Sequence, residues 1–190
     1  MNFLEKKKIL LIISGGIAAY KSLDLIRSLI KIQCEVKTIL TKGGAEFVTP
    51  LSIASLSKNK VYSDMYSVEN ESEMDHISLS RWADLILIAP ATSNIIAKMS
   101  QGISDDLATT VVQASNKSIF VCPAMNVRMW EHVSNKQNLE KIKSYNYRII
   151  GPFNGEMACG EYGDGRMADI EYILKELDNF FKSKSSNKKY

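Results

Sequence analysis

A doubly wound α/β fold, one parallel sheet covered by helices on both faces, is what this 190-residue sequence predicts. Three observations carry the prediction. Short, near-continuously apolar runs, the mark of strands buried on both faces, alternate with stretches of helical periodicity down the chain. The first run breaks on Ser14-Gly15-Gly16 and passes directly into a helical pattern, as a strand feeding a helix does. The length suits one domain able to bury ~70% of the surface of its unfolded chain, with no need of disulfide or metal staples.

In chain order, residues 8–13 read as the first strand, and residues 17–32 as a helix with Ala18, Leu25, Ile26 and Leu29 on one face. Residues 36–40 form the second strand. Residues 61–75, VYSDMYSVENESEMD, are polar and acidic and read as a surface loop leading to a site. A strand at 85–89 is followed by helices at 95–99 and 106–114, a strand at 119–122, a helix at 137–144 and a strand at 148–150. Residues 151–169 hold five glycines and no periodicity. They read as a loop, and one that long inside a compact domain is more often functional than idle. The domain spans residues 1–181; the Ser/Lys-rich stretch 182–190 is expected to be a disordered tail or a linker. No internal repeat is present.

Composition excludes several classes. The net charge is +3, but the last nine residues hold four lysines and no acid, so the body carries −1 and offers no nucleic-acid surface. Cys34, Cys122 and Cys159 are odd in number and widely spaced, which suits reduced thiols in a cytoplasm. With only His76 and His132 as imidazole ligands, a zinc site is not expected. Lys6-Lys7-Lys8 before an apolar run mimics a secretory signal, yet the run stops at Ser14 after five residues, and a buried strand explains it better. No stretch approaches the ~20 apolar residues of a membrane span.

Five segments carry candidate chemistry. A strand that ends in small residues and feeds a helix aims free backbone N–H groups at its turn, which attracts anions. At Gly15-Gly16 a dinucleotide is disfavoured, because Ala18-Ala19 follow and the second strand ends in Thr41-Lys42-Gly43-Gly44 with no acid for a ribose. A triphosphate loop is disfavoured because Lys21 follows Tyr20 rather than a glycine. A lone terminal phosphate, as in FMN, needs only the turn, the helix N-terminus and a hydroxyl such as Ser14 or Thr41; a turn with no ligand is the alternative. PATSN, residues 90–94, follows a strand and lies where doubly wound folds bind ligands, the alternative being an ordinary turn capped by Ser93 or Asn94. In CPAMNVRMW, residues 122–130, Asn126 can bind a carboxylate or amide, or simply form a turn. His76, beside Asp75, is a candidate proton carrier or fixed charge, or else a solvated loop residue. His132 lies on a polar helical stretch with Glu131 and is given no role. Cys159, in ACGEYGDGRMAD, can reach a reacting centre from a flexible loop, whereas Cys122 sits in a strand as a structural cysteine does.

Together these segments resemble the homo-oligomeric flavin-containing cysteine decarboxylases. SGGIAAYK, HISLSRWADLILIAPATSN, PAMNVRMW and ACGEYGDGRMAD stand in that family's order and spacing, and the resemblance runs over residues 8–169. It implies a Rossmann-like, flavodoxin-like flavoprotein decarboxylase domain with FMN held by Gly15, Gly16, Ile17, Thr41, Lys42, Ala91, Thr92, Ser93 and Asn94, and Ala124 close to the ring. It implies His76 and Cys159 as catalytic residues, Cys159 giving a proton from a mobile clamp. Asn126 would bind the substrate carboxylate, with Ala158 and Met167 beside it. It further implies trimers, often gathered into dodecamers, with FMN near a subunit interface. The match is best to the bacterial branch that decarboxylates 4′-phosphopantothenoylcysteine to 4′-phosphopantetheine in coenzyme A biosynthesis.

The implied chemistry has a physical reason. Direct loss of CO2 from an N-acylcysteine leaves a carbanion with no sink. Oxidation at the carbon bearing sulfur gives a thioaldehyde, from which decarboxylation yields a delocalised ene-thiolate; reduction and protonation then return a saturated thiol. Bacterial relatives often carry a fused ligase half. This sequence ends at Tyr190, so the phosphopantothenate–cysteine ligase is expected as a separate protein, or the sequence as one part of a longer one. Two rivals share the fold's logic: a decarboxylase of a peptide's C-terminal cysteine, and a non-catalytic regulatory flavoprotein. The second would suit a long acidic tail, and this tail is basic. Flavin prenyltransferases share the fold without needing the His76 and Cys159 pair.

Overall fold

The computed structural model describes residues 2–63 and 75–186. Strand β1 (Lys8–Ile13) sets the layering, because its side chains alternate between two cores. Ile9, Leu11 and Ile13 face a layer made by α1 (Ala19–Lys31), α3 (Pro50–Ser57) and α9 (Ile170–Ser186). Leu10 and Ile12 face a layer made by α4 (Asp75–Trp82), α5 (Ser93–Gln101), α6 (Leu107–Gln113) and α8 (Val133–Ser144). Each fully buried leucine or isoleucine contributes about 1.5–3 kcal/mol, so the two cores together outweigh any single cap or ion pair.

Five further strands complete a parallel, doubly wound, Rossmann-like sheet: β2 (Glu35–Leu40), β3 (Val61–Tyr62), β4 (Leu85–Ala91), β5 (Ser118–Pro123) and β6 (Arg148–Ile149). The spatial order is β3-β2-β1-β4-β5-β6, with Ile9 of β1 opposite Val36 on one side and Leu85 on the other. The chain leaves β1 in one direction and β4 in the other, which opens a crevice at their carboxyl ends. Two short helices, α2 (Lys42–Ala45) and α7 (Val127–Glu131), begin at that same edge, directly after β2 and β5.

The structure departs from expectation in five places, each with a cause. Residues 61–75 are not one loop: Val61–Tyr62 pair with Thr38–Ile39 as an edge strand, Asp75 opens α4, and residues 64–74 lie outside the described residues. Residues 151–169 are not a loop either. They hold an antiparallel hairpin, β7 (Phe153–Glu156) and β8 (Tyr162–Arg166), whose glycines hide the usual alternation. The stretch expected as a tail from residue 182 continues α9 through Ser186, carried by the buried stripe Ile173, Leu177, Phe180 and Phe181. Segments 42–45 and 50–57 are helical, with Thr41 and Thr49 as caps. His132 is the junction of α7 and α8, its Nδ1 accepting from the Ser134 N–H, rather than a residue within a helix.

Candidate active site at the carboxyl edge of the sheet

Three turns meet over the crevice. Ser14 ties the first to the third: its hydroxyl donates to the Pro90 carbonyl at 2.8 Å and accepts from the Thr92 N–H at 3.0 Å. Thr41 ties the second to the first, its N–H donating to the Ile13 carbonyl at 3.0 Å. Gly15 is required by contact: a Cβ there would lie 2.8 Å from the Gly43 carbonyl carbon, so the two turns touch backbone to backbone. The cleft above them encloses about 950 Å³, and Ser14, Gly15, Thr41, Lys42, Thr92 and Asn94 all line it.

Backbone donors without partners among the described residues follow Ser14, and the first of them, at Gly15, lines the cleft. Among the hydrogen bonds of the described residues, none uses the N–H groups of Gly15, Gly16, Ile17 or Ala18. They stand at the start of α1, whose first turn carries no acid to neutralise the helix dipole. Thr92 caps α5, accepting from the Ile95 N–H at 3.3 Å, so the cap is Thr92 rather than Ser93 or Asn94. The first turn of α5 likewise holds no acid, and the N–H groups of Ser93 and Asn94 accordingly point outward from the helix start. Two helix starts without an acid in their first turns, and a run of N–H groups without partners among the described residues, are donors of the kind that hold an anion.

Beside the cleft, Ala91 is fully buried at the end of β4, and Ala124 donates its N–H to the Ala91 carbonyl at 3.0 Å. These small residues leave the sheet edge flat. Asn126 is exposed and caps α7, its Oδ1 accepting from the Met129 N–H at 2.8 Å. That bond fixes the amide and leaves the Nδ2 donors without a partner among the described residues. Met129 of α7 lines the cleft, which joins the Asn126 turn to the phosphate-sized cradle.

The hairpin β7–β8 docks on the same turn. The Met125 N–H donates to the Gly165 carbonyl at 3.0 Å, and any side chain at Gly165 would collide with the Met125 carbonyl. Cys159 and Ala158 sit at its exposed tip, with the Cys159 Sγ 3.7 Å from a Glu161 carboxylate oxygen. Of the three thiols only this one is exposed; burial pushes the Cys34 thiol up to about 11 and raises Cys122 further still. Met167, expected beside substrate, is 1% exposed and packs in the core, because the chain turns inward after β8 to start α9. The structure does not bring its side chain to the surface.

His76 is the second residue of α4, not a loop residue. The helix leads down to the amino end of β4, so its first turn stands at the carboxyl edge. There the ring is half-buried and Nδ1 is buried without a hydrogen-bond partner among the described residues. One group of site residues was not foreseen: Lys98, Asp105 and Asp106 on the cleft wall, joined by contacts of 2.7 and 3.1 Å. Only Asp106 carried a sequence signal, as an acid directly preceding a helix, where it accepts from the Thr109 N–H at 2.8 Å. No group of His, Cys, Asp and Glu among the described residues could hold a metal ion, and no described helix is long and apolar enough to cross a membrane.

Comparison with known proteins bears on this arrangement. The chain is 43% identical over 181 residues to the coenzyme A biosynthesis bifunctional protein CoaBC of Haemophilus influenzae, covering 95% of this chain but 45% of that protein. It thus spans under half the length of that relative. Its fold matches a PPC decarboxylase, a cysteine-to-serine variant complexed with pantothenoylaminoethenethiol, with a TM-score of 0.85 and 30% identity, over 94% of this chain and 100% of the other. It also matches the FMN binding protein AtHal3 with a TM-score of 0.83 and 31% identity, over 94% of this chain and 98% of the other. The Flavoprotein family profile matches residues 2–182, and the chain belongs to the Flavoprotein family.

Proposed function

We propose that the chain binds FMN and decarboxylates 4′-phosphopantothenoylcysteine to 4′-phosphopantetheine, a step of coenzyme A biosynthesis. One observation carries the reading: the N–H groups of Gly15 to Ala18 have no partner among the described residues, and Gly15 lines a cleft of about 950 Å³. The donor set suits FMN, because β2 is followed by Thr41-Lys42-Gly43-Gly44 without the acid that would hold a dinucleotide ribose. Bound there, the flavin supplies a two-electron acceptor beside the cysteine sulfur and the donor that later restores the saturated thiol.

The chain's own residues do the rest. Gly15, Gly16, Ile17, Ser93 and Asn94 hold the phosphate through backbone N–H groups, with Thr41, Lys42 and Thr92 around it. Ala91 and Ala124 leave room for the ring. Asn126 presents Nδ2 to the substrate carboxylate until CO2 departs, and its capping bond keeps it aimed. His76, with an unsatisfied buried nitrogen, handles charge or a proton during oxidation at the carbon bearing sulfur. Cys159 at the hairpin tip gives the final proton to carbon, and the exposed tip can close over substrate.

The exposed apolar residues Ile17 (56%), Tyr20 and Leu51 (77%) support assembly into the trimers or dodecamers that the family resemblance implies. Reduced, unpaired thiols support a cytoplasmic setting, with the ligase that makes the substrate supplied as a separate or fused partner. The test is an assay of purified yellow protein with 4′-phosphopantothenoylcysteine and with a cysteine-terminated peptide, scoring CO2 and product mass. Turnover of the first substrate supports the reading; turnover of the peptide alone, or a colourless protein that takes up no FMN, overturns it.

A further inference from the structure

We propose that Ser14 and Ser22 are positioning residues that hold the starts of α1 and α5 in one register, so that backbone N–H groups from both reach a single phosphate; the inference rests on the FMN reading above. The end of β4 carries it. The residues of β4 paired with β1 stop at Ile88, and the register against β5 shifts between Ile88 and Ala91. Ala89 and Pro90 lie in that shift, and a serine hydroxyl takes each carbonyl. The Ser22 Oγ donates to the Ala89 carbonyl at 2.7 Å, and the Ser14 Oγ to the Pro90 carbonyl at 2.8 Å. The same Ser14 oxygen accepts from the Thr92 N–H at 3.0 Å.

The two hydroxyls stand at different depths. Ser22 lies in the first turn of α1, fully buried on the face that carries Ala19, Leu25 and Ile26, and it does not line the cleft. A hydroxyl in so apolar a layer costs free energy unless it is bonded, and its one bond goes to Ala89. Whatever Ser22 does to a ligand in the cleft therefore passes through β4. That bond pins the first turn of α1 to the strand end three residues before Thr92, the cap of α5. Ser14 pins the turn before α1 to the same stretch from the cleft side. The apolar faces of α1 and α5 pack in different layers, so neither helix's own bonds align its start with the other's. The serine bonds, spanning 67 and 76 positions of the chain, do.

The test compares FMN with riboflavin, which has the same ring and no phosphate, by quenching of flavin fluorescence in Ser22→Ala. The affinity for FMN is expected to fall about tenfold, the loss of about one bond to a charged group, and the affinity for riboflavin to stay at the wild-type value. Ser22→Cys keeps a weaker donor for the same carbonyl and is expected to fall between the two. Ser100→Ala is the control: that hydroxyl is as deeply buried, bonds to Ala97 and Asn138 near the far end of α5, and its loss should lower the urea midpoint with both flavin affinities unmoved. A merely structural role for Ser22 would lower both flavin affinities together or neither, and either result overturns the inference. Should Ser22→Ala fail to fold, the FMN-to-riboflavin ratio of Ser22→Cys decides in its place. A wild-type chain that binds FMN no better than riboflavin overturns the phosphate cradle, and one that binds neither overturns the FMN reading itself.

Discussion

Gly15→Ala tests the cradle most directly. The added Cβ would lie 2.8 Å from the Gly43 carbonyl carbon, 2.9 Å from its oxygen and 3.0 Å from its Cα. All three are backbone atoms, so no side chain can swing aside; reaching ordinary contact means parting the two turns by about half an ångström or more. The Gly43 turn resists. Thr41 is bonded to the Ile13 carbonyl through both its N–H and its hydroxyl, and Gly44 is itself wedged against that carbonyl. Overpacking of this kind costs about 1–3 kcal/mol, and whatever is relieved by parting the turns misaims the N–H groups of Gly15 and Gly16. Hydrogen bonds to a charged group contribute about 1.5–3 kcal/mol each, so losing one lowers FMN affinity by roughly 10- to 100-fold. Quenching of FMN fluorescence on titration reads the affinity, and urea unfolding of the apoprotein reads the stability. Gly160→Ala is the control: no atom lies within 4 Å, and its φ of +81° predicts only backbone strain of about 1–2 kcal/mol with unchanged FMN affinity. Wild-type affinity and wild-type urea midpoint together in Gly15→Ala would refute the reasoning.

Cys159→Ser is expected to release CO2 from 4′-phosphopantothenoylcysteine and accumulate the ene-thiol, since the thiol is needed only for the last protonation; mass spectrometry showing ordinary 4′-phosphopantetheine at the wild-type rate refutes this. Asn126→Asp keeps an acceptor for the Met129 N–H, so the urea midpoint should hold, while the lost donor and added charge should raise KM at least tenfold; an unmoved KM removes Asn126 from the carboxylate site. Burial opposes ionisation of Asp106, but the bonds from Thr109 and Lys98 outweigh it and hold its carboxyl below the usual range. That stabilisation is fully present above the unfolded value of about 3.9 and is lost as pH falls through the lower folded value. Urea midpoints compared at pH 5 and pH 3 should therefore fall further for wild type than for Asp106→Asn, and equal falls count against the assignment.

The buried strands were legible because a strand covered on both faces must be apolar at nearly every position, and β1 and β4 are. The hairpin was illegible for the opposite reason. Its strands pack by lacking side chains: Gly163 sits against Val127 and Gly165 against the Met125 carbonyl, so the period of two carries no hydrophobic signal. α9 was legible in its spacing of Ile173, Leu177, Phe180 and Phe181, yet its last turn is solvent-facing Lys and Ser, a composition that also describes a free tail. At the site, Gly15-Gly16 marked the tight strand-to-helix turn, and Gly15 serves there by meeting Gly43 backbone to backbone. The Lys98 cluster stayed hidden because its partners sit seven and eight residues away and meet only once the chain turns at Gly102.

For Thr41, Thr92 and Asn126 the capping role and the role the proposed function gives them rest on the same bond. Each accepts an N–H from the first turn of the helix that follows it, at 3.1, 3.3 and 2.8 Å, and each stands at the carboxyl end of a different strand. Capping satisfies one N–H per helix start and fixes the direction of the others, which then face a common space. A loop without a cap would scatter those donors. The stability a cap supplies, about 1 kcal/mol, is thus inseparable from preorganisation of the cleft. The two contributions separate only in a variant such as Asn126→Asp, where the acceptor survives and the exposed chemistry changes.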